Sequence, residues 1–562
     1  MPVAALAMRR ADRVIEKFLG ENMTNTARLK TFVSVFALFP LMSLAPAGHA
    51  APAQGDAARC QALSGRMIAP NMKVLSAEFD ADGATVDKTK VDAPMCRIVG
   101  EATPTKDSHI GFEVWLPPAS VWNGKFQAEG SGGSAGAISP GPMLTALKAG
   151  YATMSTDNGH VTDPNASNGG NEQGWALGHP EKMVDFAYRA LHVSTVAAKT
   201  IVQRFYGKKA SESYFVGCSQ GGHHALMEAT RFPADYDGIV AGAPAWHWAN
   251  QMINATWNSR AALLDPSALT EESAKLLNRK VIEACDALDG VKDGVIEDPR
   301  QCHFDPASLQ CKEGEADGEC LTPAQVAAAN AIYSGAKKSD GTQIFHGYAR
   351  GSESQWARIW AGKAPGGSSY DFFRYSVFQD PNFKNTGFDY DKDTDRALSA
   401  KVVGKETVAD VYNVKPDLTR YAAMGHKLIM YHGWADQQIS PYASIDFYQR
   451  IAAKLGQAKT DAFLKFYMLP GIYHCAGGPG TGNFGAAGPA SAPDAQHDIT
   501  VAIDEWVKEK KAPTIFIGTH INEQTKMADR TRPICTYPQV AKYKGSGDTN
   551  DAANFTCAAP PT

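Results

Sequence analysis

The stretch "ESYFVGCSQGGHHALMEATRFPADYDGIVAGAP", Glu212 to Pro244, restricts the fold more than any other. A short buried strand, "ESYFVG", runs into Ser219, which stands between Gly217 and Gly221 in the pattern G-x-S-x-G. A helix follows, "QGGHHALMEATRFP", and stops before Pro233; "YDGIVAGAP" is a second strand. Strand, sharp turn, helix and strand in this order give parallel neighbours in one sheet, with the helix packed on its face.

The segments before it carry the same kind of signal. "HIGFEVWLP", "GKFQAEG" and "GYATMSTDNG" read as strands. "HPEKMVDFAYRALHVSTVAAKTIVQRFYG" places Met183, Phe186, Ala187, Ala190, Val193 and Ala197 at helical spacing and ends on Gly207. From Ala245 to Met424 the alternation stops, and Trp, Gly, Asp and Cys become frequent. Strands resume in "HKLIMYHGWAD" and "AFLKFYMLPGIYHC". The expected organisation is an α/β core in two parts, 51–244 and 425–562, with residues 245–424 inserted as a lid.

Residues 1–50 are expected to be an N-terminal extension and an export signal. From Met23 the chain has basic residues Arg28 and Lys30, an apolar run from Thr31 to Leu44, and small residues before Ala51. The expected cut follows Ala50, which makes the protein secreted or periplasmic and leaves no membrane segment after signal removal; the true start is Met1 or Met23. A net charge of −4 offers no basic surplus for nucleic acid or an anionic membrane.

Acyl transfer by a serine needs a base for its proton and an acid to orient the base. In α/β-hydrolases these follow the serine in the order acid, then histidine. Asp436 follows the strand "KLIMYHG", and His474 follows "LKFYMLPG", so Ser219, Asp436 and His474 fit. An oxyanion needs convergent backbone donors: the N–H of Gln220, next after the serine, and one from "EGSGGSAG", with Gly133 chosen and Gly132 close behind.

Ten cysteines in an exported chain favour disulfides. Spacing pairs Cys60 with Cys96, Cys285 with Cys302, Cys311 with Cys320 and Cys535 with Cys557. Cys218 and Cys475 are left over. They adjoin Ser219 and His474, so a hydrogen bond between those two residues would bring their neighbours within bridging range.

Cys218-Ser219, Asp436 and His474-Cys475 resemble the CS-D-HC motif of the tannase and feruloyl esterase family, which takes in terephthalate-monoester hydrolases. "FQAEGSGG", "STDNGH", "YDGIVAGAPA", "YHGWADQQISP" and "RTRPICTYPQVAKYKGSGD" extend the resemblance from Cys60 to Cys557. It implies an α/β-hydrolase core, a lid over the site, and a structural calcium ion in the lid. The matching stretch is "CDALDGVKDGVI", with carboxylates of Asp286, Asp289 and Asp293 and carbonyls of Val291 and Val295 as hard oxygen ligands.

The resulting expectation is an exported serine esterase acting on a small aromatic ester, with hydroxycinnamate or gallate esters leading. A terephthalate-monoester hydrolase, a non-catalytic phenolic- or carbohydrate-binding protein and a peptidase stand as alternatives. Lid residues remain open at this point. Arg374 is a substrate-carboxylate ligand or a structural arginine. Phe372, Phe373, Tyr375 and Phe378 are a pocket wall or lid core. His223 and His224 are a helix face or support for the site, and Trp434 is a pocket-wall candidate. Oligomeric state is not legible.

Overall fold

In the computed structural model, residues 55–560 are described apart from 163–171, 315–317, 363–367 and 487. The expected extension and signal, residues 1–50, lie outside them.

A ten-stranded sheet organises the chain. Its strands are β1 (Met67–Ala69), β2 (Met72–Asp80), β3 (Met95–Ala102), β4 (Ile110–Leu116), β5 (Phe126–Glu129), β6 (Ala152–Thr156), β7 (Ser213–Cys218), β8 (Gly238–Gly242), β9 (Lys427–Gly433) and β10 (Leu464–Leu469). Their spatial order is β1-β2-β3-β4-β6-β5-β7-β8-β9-β10. From β6 to β10 all neighbours are parallel. The first strands are an antiparallel meander. That half departs from the strand–helix alternation expected over 51–244. β2 buries Val74 and Ala77, three apart across a bulge between Val74 and Ser76, and antiparallel neighbours need only short turns between them.

Eight helices matter here: α1 (Pro140–Lys148), α2 (Ala190–Tyr206), α3 (Gln220–Arg231), α4 (Trp248–Leu264), α5 (Glu271–Cys285), α6 (Pro323–Ser334), α7 (Pro441–Leu455) and α8 (Ile499–Glu509). α2 ends on Gly207, whose φ of 72° is the left-handed cap that glycine supplies without a Cβ clash. Thr270 and Thr322 close capping boxes at the starts of α5 and α6. One apolar core, with Phe126, Phe215, Leu226, Met430 and Phe466, lies on one side of the sheet. A second, with Tyr214, Val240, Tyr467, Ile503 and Trp506, lies on the other.

Among the described residues between β8 and β9, none adds a strand to this sheet. The insertion has one core of its own, around Trp356, Trp360, Leu276 and Ile332, and a second, around Phe372, Phe373, Phe388 and Tyr412, that it shares with Met183, Phe186 and Ile439 of the sheet-bearing part. Core and insertion belong to one compact body. After α8, strands β11 (Ile515–Ile521), β12 (Ala528–Cys535), β13 (Val540–Tyr543) and β14 (Phe555–Ala558) form two antiparallel pairs, β11 with β12 and β13 with β14. Five disulfides join the ten cysteines in the expected pairs. Among the described residues, no helix is long and apolar enough to cross a membrane.

Candidate active site

Parallel strands end at one edge of the sheet, so the loops after β5, β7, β9 and β10 meet there. At the end of β7 the backbone turns sharply into α3, and Ser219 takes φ 64° and ψ −120°. The turn closes because its flanks are glycines. A Cβ on Gly217 would lie 2.6 Å from the Gly221 backbone, and one on Gly130 would lie 2.6 Å from Gly221 Cα. The Ser219 N–H donates to Gly242 O at 3.0 Å, which anchors the turn to β8.

Ser219 Oγ lies 2.8 Å from His474 Nε2, and His474 Nδ1 lies 2.8 Å from Asp436 Oδ2. Asp436 is fully buried. Its Oδ1 accepts the N–H groups of Gln438 (2.7 Å) and Ile439 (2.9 Å). Burial alone would raise this carboxyl. The charge of His474 and hydrogen bonds from His432 and His474 overcome that and hold it well below the usual carboxylate range. The carboxylate therefore stays ionised and fixes the Nδ1–H tautomer of His474, leaving Nε2 free to accept the serine proton. The Cys218–Cys475 bridge, with Cα atoms 6.0 Å apart, ties the two loops directly beside this contact.

The loop after β5 is laced from below. Asn158 Nδ2 donates to Ser131 Oγ (2.7 Å) and to Ala135 O (3.0 Å), and His160 Nε2 donates to Ser134 O (2.8 Å). Gly133 has φ 61°, which leaves room for its backbone to face the site. Gln220 opens α3, where a first-turn N–H has no carbonyl one turn back. Gly132, Gly133 and Ser219 line one cleft of about 1880 Å³.

The cleft has an apolar wall from the insertion and the strand ends, including Trp248, Met252, Ala255, Trp360 and Ile439, with Gln251 and Gln438 beside them. Of the two readings left open for Phe372, Phe373, Tyr375 and Phe378, the structure selects core. Phe372 and Phe373 are fully buried in the core that the insertion shares with Met183 and Phe186, and Tyr375 and Phe378 pack against it. A run of aromatics on a helical turn has core as its cheapest destination. Trp434 is also buried, edge-on to Tyr442 and under the Arg300 guanidinium, and does not line the cleft. Arg374 donates Nε–H to Phe383 O, sits 3.6 Å from Asp371 and covers Tyr370, so it belongs to the insertion's internal framework. Arg358, which sequence reasoning passed over, is the insertion arginine on the cleft rim, with Nε bonded to Gln355 Oε1.

His223 and His224 are buried and bond through Nε2 to Tyr412 O and Phe186 O. Burial pushes them down, to about 3 and about 4, so both are neutral struts between α3 and its neighbours. Two further residues carry no sequence signal of their own. His432 is a second buried imidazole on Asp436. Glu129 ends β5, lines the cleft, accepts from Gln127 Nε2 at 2.7 Å, and is pushed by burial to about 8.

Asp286, Asp289 and Asp293 share one loop with the Val291 and Val295 carbonyls, past the end of α5. Asp286 accepts the N–H groups of Asp293 (3.1 Å) and Gly294 (3.0 Å); Asp289 accepts that of Val291 at 2.9 Å. The three carboxylates do not converge as a set to within 4.8 Å. Burial, then the Val291 bond's opposition and the negative charges of Asp293 and Asp286, leave Asp289 raised to about 6. Crowded, partly buried carboxylates beside carbonyls on a tight loop are a hard-oxygen donor set, and its chemistry fits calcium.

A family model, "Tannase and feruloyl esterase", matches residues 96–558. An uncharacterized esterase of Xanthomonas campestris pv. campestris is 35% identical, with 93% of this chain and 95% of that protein covered. Mono(2-hydroxyethyl) terephthalate hydrolase of Piscinibacter sakaiensis is 31% identical, with 90% and 92% covered. The crystal structure of feruloyl esterase B from Aspergillus oryzae superposes with a TM-score of 0.81 at 29% identity, over 90% of this chain and all of that one.

Proposed function

Because the chain belongs to the tannase and feruloyl esterase family and is a carboxylic ester hydrolase, we propose that it cleaves aromatic carboxylic esters through an acyl-enzyme on Ser219, with hydroxycinnamate or gallate esters as substrates. The observation that carries this reading is the 2.8 Å contact of Ser219 Oγ with His474 Nε2 inside an apolar-walled cleft.

Ser219 Oγ attacks the ester carbonyl as His474 Nε2 takes its proton. Asp436 stabilises the imidazolium. The N–H groups of Gly133 and Gln220 receive the oxyanion. His474 then hands the proton to the leaving alcohol. A water enters, gives its proton to His474 and releases the acid, and Ser219 recovers its hydrogen. Trp248, Met252 and Trp360 give an aromatic acyl group a flat, water-excluding wall. Since these residues come from the insertion, its role is that of a lid.

Two further readings go with this one. Asp286, Asp289 and Asp293, with the carbonyls of Val291 and Val295, hold a structural calcium ion, which supplies charge neutralisation to the loop when bound. The protein is exported, with the mature chain beginning at Ala51. Five disulfides support an oxidising compartment.

Arg358 on the rim favours one second reading, a substrate with a free carboxylate such as a terephthalate monoester. Initial rates on methyl ferulate, methyl gallate, mono(hydroxyethyl) terephthalate and p-nitrophenyl acetate, run beside Ser219→Ala, test both. Phenolic preference that vanishes in the alanine variant is the expected result. A preference for the terephthalate monoester selects the second reading, and rates equal to the variant on every ester overturn both.

A further inference from the structure

His432 closes β9 four residues before Asp436, and its side chain is fully buried. Its Nε2 lies 3.1 Å from Asp436 Oδ2 and 3.1 Å from the Ile439 carbonyl. A carbonyl only accepts, so Nε2 carries a hydrogen and donates it between the two oxygens. Its Nδ1 lies 2.7 Å from Ser444 Oγ on α7. Asp436 Oδ2 is also the oxygen that receives His474 Nδ1–H at 2.8 Å. One carboxylate oxygen thus lies between two imidazoles, while Oδ1 is held by two backbone N–H groups. The titratable groups facing His432 are Asp436 and His474, from the loops after β9 and β10. Tyr348 of the insertion stands nearby, with its hydroxyl bonded to Gln438 O at 2.7 Å.

We propose that His432 is a positioning residue for ester hydrolysis: it holds Asp436 Oδ2 toward His474 and weakens that oxygen's pull on the His474 proton. This rests on His474 being the base for Ser219. A carboxylate oxygen that accepts two donors is a poorer acceptor for each, and so stabilises the His474 imidazolium less. With His432 present, His474 gives up its proton at lower pH and is available as a base in more of the neutral range. The sign is the same if His432 itself carries a charge, since a nearby cation also disfavours the imidazolium. Ser444 assists by donating to Nδ1, which makes Nε2–H the stronger donor.

The test is the pH profile of kcat/KM, whose acid limb reports the base in the free enzyme. His432→Leu removes the donor; His432→Gln keeps an N–H at the same reach; Ser444→Ala leaves the imidazole and removes its partner. The acid limb is expected to move up by about half to one pH unit in His432→Leu. Its plateau should fall roughly 10- to 100-fold through lost orientation. His432→Gln should stay near the wild type, and Ser444→Ala should shift less than His432→Leu, in the same direction. Should His432→Leu not fold, Ser444→Ala carries the test. A folded His432→Leu or Ser444→Ala with an unmoved acid limb overturns the proposal, as does an equal shift in His432→Gln and His432→Leu. Wild-type rates in Ser219→Ala would instead overturn the reading on which it rests.

Discussion

Ser219 holds a backbone conformation, φ 64° and ψ −120°, that side chains rarely adopt. The glycine-flanked elbow and the bond to Gly242 O impose it, so that Oγ stands clear of the sheet and in reach of His474. Glycine accepts such angles without a Cβ clash. Ser219→Gly is therefore expected to be inactive yet more stable than the wild type, by roughly 1 kcal/mol. Chemical denaturation of the two proteins checks it, and a destabilised glycine variant would mean that the angles carry no strain. The contact of Ser219, His474 and Asp436 was legible in the sequence because each follows a recognisable strand and the three keep one chain order. Their supports were not. His432 inside "LIMYHGWAD" reads as one polar residue of a buried strand until the loop folds Asp436 back upon it. The aromatics near Phe372 stayed open between wall and core for the converse reason, since composition marks them as apolar but not which cavity they fill.

At the scale of elements, the parallel half of the sheet was legible from strand–turn–helix periodicity. Of the antiparallel half, Ile110–Leu116 was legible as a strand but Met72–Asp80 was not, because a bulge between Val74 and Ser76 breaks its inside–outside period. Two joints between elements can be probed. Cys218–Cys475 closes a separation of 257 residues, for which chain entropy alone gives roughly 5 kcal/mol. Changing both cysteines to alanine should lower Tm and reduce kcat more than it raises KM, since the serine and histidine loops then drift independently. Unchanged kcat and Tm would remove the positional role. The second joint is the end of β5, where Glu129 pairs with Val216 of β7. Its carboxyl titrates near 4.5 when unfolded and at about 8 in the fold, because burial disfavours its charge. Between these values the folded chain keeps a proton that the unfolded chain releases, so stability falls as pH rises and levels off above about 8. Glu129→Gln removes this loss. Its Tm should match the wild type near pH 5 and exceed it by roughly 2–4 °C at pH 9. A gap that does not change with pH would exclude the effect.

Across the whole molecule, the loop after α5 is where the insertion meets the end of the chain. Arg532 and Arg530, on β12, reach Asp293 Oδ2 at 2.6 Å and 3.1 Å, and Arg530 also donates to the Asp293 carbonyl. Glu297 accepts the Ala541 N–H at 2.6 Å, and Arg300 lies between Trp434 and Tyr537 at 5.6 Å and 5.5 Å. Trp434 in turn is two residues before Asp436. The same loop therefore joins the insertion, the C-terminal strands and the segment that carries Asp436, and the Cys285–Cys302 bridge closes its base. The two arginines offset the charge of Asp293, and a bound cation would do the same for Asp286 and Asp289 beside it. By mass action, calcium at about 100 times its Kd adds roughly 2.7 kcal/mol to the folded state. Chelation should lower Tm, calcium should restore it in a concentration-dependent way, and KM should change little because Asp286, Asp289 and Asp293 do not line the cleft. Asp289→Asn should make Tm insensitive to the chelator. Metal analysis of protein dialysed against calcium should find about one ion per chain. No bound calcium, or a chelator effect that persists in Asp289→Asn, would leave Arg530, Arg532 and the Glu297–Ala541 bond to hold this joint without a metal.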